Sequence, residues 1–128
     1  MKIEEGLFYT KEHEWIKIEG ASAKAGITDY AQHKLGDITY IEPQDAGKEV
    51  KKGEALTGIE SVKAASDMYS PVNAKIKGFN TALETAPEAV NNDPYGAGWI
   101  FELELEGSAD TSDLMDAEAY KKYTEGLE

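Results

Sequence analysis

Apolar and polar positions alternate along most of the chain, in short runs broken by glycine, proline and small polar residues. Trp15-Ile16-Lys17-Ile18-Glu19 alternates, Gly20 interrupts it, and Ser22-Ala23-Lys24-Ala25-Gly26-Ile27 follows. That spacing predicts a hairpin turning at Glu19-Gly20-Ala21. Thr28 stands where a helix N-cap belongs, Tyr30 to Leu35 supplies a short helix, and Gly36 is suited to end it in the left-handed conformation. Asp37 to Glu42 is rich in β-branched residues and predicts a strand. Pro43 to Gly53 reads as turns, with Gly47 and Gly53 bracketing Val50. Leu56 to Val62 predicts another strand and Met68 to Val72 its return, leaving Lys63-Ala64-Ala65-Ser66 between them. Ala74 to Phe79 alternates weakly, and Asn91-Asn92-Asp93-Pro94-Tyr95-Gly96 is dense with turn formers. Trp99 to Glu106 gives the cleanest alternation in the chain, one face apolar and the other acidic. Ser112 to Gly126 has a helical pattern, with Leu114, Met115, Tyr120 and Tyr123 as its packing face and Asp116 placed to cap a second helical piece. Many short strands between Gly/Pro turns, with helices only at the edges, predict a mainly β fold, a small sandwich or barrel. No linker or low-complexity stretch divides it. One domain is expected over residues 1–128, with a core from about 7 to 106 and a C-terminal helical segment from about 111 to 126.

Charge narrows the partners. The chain carries 13 basic and 25 acidic residues, a formal charge of −12. Nucleic acid and anionic membranes are poor partners for such a surface, because both are bound through Lys and Arg. The acidic surplus instead favours fast encounter with a partner whose docking face is basic. With no cysteine there is no disulfide, no thiol nucleophile and no thiolate metal site. The opening MKIEEGLFYT has no apolar h-region and is neither Arg-rich nor Ser-rich, so neither a secretory nor a transit peptide is expected and a cytoplasmic location is. His13 and His33 show no metal-ligand spacing, no Ser or Lys sits in a nucleophile elbow, and the glycines form no phosphate-binding loop. No catalytic residue and no metal site is therefore expected. Chemistry, if the chain takes part in any, must be attached to it.

Lys63 offers the means of attachment. It lies between two strand-like runs, in a connection so short that it must be a tight turn, among the small residues Ala64, Ala65 and Ser66. Glu60 and Asp67 flank the turn, where a modifying enzyme can use them to set register.

Around this lysine the sequence resembles the glycine-cleavage H-protein family. The matching blocks are Glu60-Ser61-Val62-Lys63-Ala64 with Ser66-Asp67 and Ser70-Pro71, then Glu12-His13-Glu14-Trp15. Gly26-Ile27-Thr28, Ala31-Gln32, Leu35-Gly36-Asp37, Asn92-Asp93-Pro94-Tyr95 and Gly98-Trp99 match as well, in unbroken order from about Leu7 to Tyr123. Three places depart from the pattern: Pro43 comes one position early and is followed by Gln44, Ala74 replaces a glycine, and Lys77-Gly78-Phe79 replaces a more acidic, β-branched stretch. These affect local turns, not the lysine.

The resemblance implies a barrel-sandwich (hammerhead) fold of two small antiparallel sheets with short helices and a C-terminal helix. It implies a lipoyl group in amide linkage to Lys63, placed there by a lipoate ligase or lipoyltransferase that reads Glu60, Ser61, Val62, Ala64, Ser66 and Asp67. The chain would be a non-catalytic, monomeric carrier serving a pyridoxal-phosphate glycine decarboxylase, a folate-dependent aminomethyltransferase and a dihydrolipoyl dehydrogenase. A cleft that shelters the loaded arm would be lined by carboxylates. Glu12, Glu14 and Asp67 are its candidates, with His13 and His33 as hydrogen-bond partners. An H-like relay that donates lipoyl groups to other complexes is the alternative on the same fold. A biotin carrier is disfavoured, because it usually has Met on both sides of the lysine, where this chain has Val62 and Ala64. A third class, an unmodified β-domain acting only through its surface, differs from the others in intact mass.

Overall fold

The computed structural model describes residues 1–127. Nine strands and three helices follow in the order β1 (Phe8–Tyr9), β2 (Glu14–Glu19), β3 (Ser22–Ile27), α1 (Asp29–Leu35), β4 (Ile38–Ile41), β5 (Glu49–Val50), β6 (Ala55–Ser61), β7 (Ala65–Tyr69), β8 (Ala74–Phe79), α2 (Ala89–Asn92), β9 (Phe101–Leu105) and α3 (Ala117–Glu125). A 3₁₀ turn, Thr81–Glu84, precedes α2. One antiparallel sheet has the order β1-β2-β3-β9-β8-β5 and the other β4-β6-β7. The fold is thus mainly β, two antiparallel sheets with short helices and a C-terminal helix, as the resemblance implies.

Alternation puts one face of each sheet inside. Ile16, Ala23 and Ala25 of β2 and β3, Ile76 of β8 and Phe101 and Leu103 of β9 pack with Ile38, Ile41, Leu56, Ile59 and Met68 of the smaller sheet. A second cluster lies on the opposite face of β1 and β2, where Leu7, Tyr9 and Trp15 meet Ala117 and Tyr120 of α3. Strand β2 is therefore buried on both faces at its start, and Glu14, Trp15 and Ile16 are all inaccessible. The Tyr9 and Tyr120 rings stack with centroids 4.4 Å apart, and the Trp15 indole N–H donates to the Pro94 carbonyl at 3.0 Å.

Thr28 caps α1 as expected, its hydroxyl accepting from the Ala31 amide, and Gly36 ends the helix at φ 79°. The C-terminal helix is shorter than the sequence pattern predicts. It starts at Ala117, with the Asp116 carboxylate as N-cap, and not at Ser112. Met115 instead pairs with Tyr9 as an antiparallel bridge, its amide and carbonyl both bonded to that residue. Leu114 and Met115 fit a helical pattern only together with Tyr120 and Tyr123, and Met115 pairs with the Tyr9 backbone instead. Asn91 and Asn92, read as turn formers, close α2. No helix among the described residues is long and apolar enough to cross a membrane.

Candidate functional site

Strands β6 and β7 pair from Ala55↔Tyr69 to Glu60↔Ala65, and Lys63 stands at the tip of the hairpin. The connection is tighter than the sequence suggests, because β7 begins at Ala65 and not at Met68. The Ser61 amide donates to the Ala64 carbonyl at 2.8 Å. Ser61 Oγ accepts from the Ala64 amide at 3.1 Å and from the Lys63 amide at 3.4 Å. Neither Val62 nor Lys63 has a positive φ, so this is not one of the primed turns that glycine usually supplies. The Ser61 hydroxyl holds the tip in place of that geometry. The Val62 amide also donates to the Asp37 carbonyl at 3.0 Å, which ties the tip to the entrance of β4.

Lys63 is exposed, and it has no ion-pair partner within 4.0 Å among the described residues. A covalently attached arm fits such a position, because acylating the amine there breaks no ion pair. The lysine stem lies across Gly36, where a Cβ would sit 3.1 Å from the Lys63 Cε. Gly36 is in turn held by Asn91, which no sequence pattern singled out as a site residue. The Asn91 side-chain amide donates to the Gly36 carbonyl and to Gln32 Oε1, each at 2.9 Å, and its oxygen accepts from the Ile38 amide at 2.9 Å. Asn91→Ala orphans these groups at once. It should lower stability by about 1–2 kcal/mol in urea unfolding, the low end of the roughly 1–3 kcal/mol that a fully buried orphan costs, because all three bonds are part-buried; a loss below about 0.5 kcal/mol would show that water replaces the amide freely.

Two clefts meet along β7. The first, about 620 Å³, lies on the outer face of the hairpin, with Glu42, Gly58, Glu60, Asp67 and Tyr69 among its walls. Gly58 keeps its floor open: a Cβ there would lie 3.8 Å from Glu42 Oε2 and 3.9 Å from Asp67 Oδ1. The second, about 330 Å³, is lined by Glu12, Glu14, Lys52 and Tyr69 and by the Asp113-Leu114 segment. Tyr69 borders both. Asp67 therefore lies in one cleft and Glu12 and Glu14 in the next.

Glu14 is the buried acid of the group, 2% exposed. Its Oε2 accepts from the Tyr69 amide at 3.1 Å and its Oε1 from the Thr10 hydroxyl. Burial pushes the Glu14 carboxyl above its ordinary 4.5, against the Thr10 hydroxyl and the Tyr69 amide, which both draw it down. A folded-state value raised in this way favours the fold at low pH, and the benefit is lost as pH rises through it. Glu14→Gln, which removes the charge and keeps the shape, should raise the melting temperature at pH 7 and lose that advantage below pH 4.5, the ordinary value. A melting-temperature gain unchanged between pH 7 and pH 4 would remove the burial penalty.

The histidines lie elsewhere. His13 Nδ1 is 2.8 Å from the Tyr120 hydroxyl, and its ring stacks on Tyr30 with centroids 4.4 Å apart. It is the one non-glycine residue of positive φ among the described residues, at 67°, a conformation histidine takes more readily than most. Burial holds its imidazole below the usual 6.5, against the opposing pull of Glu12. His33 is exposed on α1 and borders a separate cleft with Asp29, Tyr30 and Lys34. Of the motif residues, Glu60 pairs with Ala65, Ser61 holds the turn, and Val62, Ala64, Ser66 and Asp67 are exposed around it. Thr10, Tyr69, Asn91 and Lys52 belong to the site without a sequence signal; the partners of the last three are distant in the chain, and that of Thr10 is Glu14, four residues on.

Comparison with known proteins agrees with this geometry. The family model described as "Glycine cleavage H-protein" matches residues 7–126. A glycine cleavage system H protein of Thermoanaerobacter sp. (strain X514) is 51% identical over 123 residues, covering 96% of this chain and 97% of its own. One from Thermus thermophilus is 51% identical over 125 residues, covering 98% of each. A crystal structure of a glycine cleavage system H protein from Mycobacterium marinum superposes with a TM-score of 0.87 at 32% identity, covering 96% of this chain and 99% of that one. With near full-length agreement in sequence and in fold, the chain belongs to the glycine cleavage H-protein family.

Proposed function

We propose that the chain is the lipoyl carrier of a glycine cleavage system, with the lipoyl group in amide linkage to the Lys63 nitrogen. It passes the aminomethyl group of glycine, and then electrons, between a pyridoxal-phosphate decarboxylase, a folate-dependent aminomethyltransferase and a flavin dihydrolipoyl dehydrogenase. The observation that carries this reading is an exposed, unpaired lysine at the tip of a hairpin pinned by Ser61, inside the Glu60-Ser61-Val62-Lys63-Ala64 motif. When bound, the dithiolane supplies a disulfide that accepts electrons and a one-carbon unit together, which a chain without cysteine lacks. The chain itself catalyses no step, binds no other cofactor and works in the cytoplasm.

Its own residues present and shelter. Ala64, Ala65 and Ser66 leave the amine open to a lipoate ligase or lipoyltransferase, with Glu60 and Asp67 beside it for register. A lysine plus lipoyl chain reaches on the order of 15 Å at about 1.25 Å per bond. From Ala65 to Tyr69 a strand advances about 13 Å at roughly 3.3 Å per residue. The arm is thus long enough to run from the turn, past Asp67, to the cleft of Glu12 and Glu14. A carboxylate there suits the protonated amine of the cargo. His13, engaged with Tyr120, and His33, on another face, are structural or exposed imidazoles in this reading.

Reconstitution tests the function. The lipoylated chain added to the decarboxylase should support glycine–CO₂ exchange, and absence of exchange would overturn the reading. Docking should also depend on salt, since the surface carries −12. Association with the decarboxylase should slow as the Debye length falls from about 10 Å to 3 Å; a flat rate over that range would remove electrostatic steering.

A further inference from the structure

The cleft of Glu14 is also lined by two lysines, Lys11 and Lys52. Lys52 borders it, with its side chain 30% exposed. A lysine free to turn toward Glu14 would occupy the place a cationic cargo needs, so its present partners matter. The Lys52 ammonium pairs with Asp113 Oδ1, donates to the Asp110 carbonyl at 3.1 Å and lies 4.0 Å from Asp110 Oδ2. All three acceptors belong to the strap that follows β9. The strap is itself braced: the Ser112 amide and hydroxyl donate to Asp110 Oδ1 at 3.1 and 2.6 Å. These two bonds, and after them the Lys52 ammonium, hold the Asp110 carboxyl below its ordinary 3.8. The lysine backbone is anchored as well, its amide donating to Asn73 Oδ1 at 2.8 Å. The same turn is joined to Glu14. The Gly53 amide donates to the Ser70 carbonyl at 2.8 Å, and the neighbouring Tyr69 amide donates to Glu14 Oε2 at 3.1 Å.

We propose that Asp110 and Asp113 are specificity-determining residues: they hold the Lys52 ammonium on the strap, away from Glu14, so that Lys52 does not pair with that buried carboxylate and the cleft selects a cationic cargo. The inference rests on the arm-cleft reading above. The other charged residues that line the cleft of Glu14 are Lys11, Glu12, Lys52 and Asp113, and of these Glu12 acts on the Glu14 carboxyl. Neither Asp110 nor Asp113 touches Glu14; each acts through Lys52.

The test starts with the unlipoylated protein and reads Glu14 directly, by ¹³C NMR titration of its carboxyl. In Asp110→Asn/Asp113→Asn the freed ammonium should lower the Glu14 pKa by about one unit, the size of effect a new opposite charge produces. Adding Lys52→Met to that variant should restore the wild-type value, which a merely structural effect of the strap would not do. An unchanged pKa in the double variant, or a drop that persists without Lys52, overturns the proposal. The second readout is release of cargo from the loaded protein, R–S–CH₂–NH₃⁺ + H₂O → R–SH + CH₂O + NH₄⁺. Release should quicken about tenfold in the double variant, as for loss of a charge-assisted contact, and return to the wild-type rate with Lys52→Met. If Glu14→Gln quickens release and the double variant does not, the proposal fails while the arm-cleft reading stands. If Glu14→Gln has no effect on release, the arm-cleft reading fails and takes the proposal with it.

Discussion

Replacing Lys63 by arginine is expected to leave the fold intact and to abolish both lipoylation and glycine–CO₂ exchange. Arginine keeps the charge and the long stem but cannot form the amide, because its guanidinium stays protonated. The side chain is exposed and the turn is held by backbone groups and by Ser61 Oγ, so the substitution removes no packing. Its melting temperature should stay near that of the wild type, the effect expected of a surface change of at most about 0.5 kcal/mol. Intact mass after incubation with lipoate ligase, and exchange with the decarboxylase, check the two losses separately. Residual exchange in a folded Lys63→Arg protein would place the carrier function elsewhere.

The other large effect is on stability. Trp15→Ala should cost about 3–5 kcal/mol, the range for emptying a buried aromatic site, out of the roughly 5–15 kcal/mol a domain holds in total. Trp15 is 2% exposed, donates to Pro94 and packs so closely on Gly26 that a Cβ there would come within 2.9 Å of its Nε1. It joins β2 to the second cluster under α3, so its loss should loosen the strand that carries Glu14. Urea unfolding measures the cost, and Trp15→Phe, which keeps most of the apolar contact, should fall between. A cost below about 1 kcal/mol would mean that the surroundings collapse to fill the space.

These two residues also mark how far the sequence could be read. The lysine hairpin was legible because two strand-like runs flank a short stretch of small residues, although the return strand begins at Ala65, ahead of Met68. The caps of α1 were legible because Thr28 and Gly36 have one obvious role each. Strand β2 was harder. Buried on both faces, it shows three consecutive inaccessible residues where alternation expects a polar one, and Glu14 there looks like an ordinary surface acid. Its burial depends on Tyr69, 55 residues away, and no local periodicity encodes that distance. Asn91 was hidden for the same reason. In sequence it is a turn former beside Pro94; in the fold its amide closes the joint between α1 and β4 across 53 residues. The Asp116 cap of α3 was legible, but the stretch from Ser112 to Met115 was misread as helix, because only the position of Tyr9 makes Met115 a strand bridge.

Glu14 has a further lesson. A carboxylate held in a site that raises its pKa weakens the fold at neutral pH, and groups of that kind concentrate where function needs them. Asp67 is exposed, and only its place beside Gly58, along the proposed path of the arm, recommends it.

All 13 basic residues of the chain are lysines, so the modifying enzyme has many amines to choose from. The most direct measurement is peptide mapping by mass spectrometry of the protein made with active lipoate ligase. The expected result is one lipoyl group per chain, all of it on Lys63; lipoate on any other lysine, or a fully folded chain that stays unmodified, would contradict the assignment.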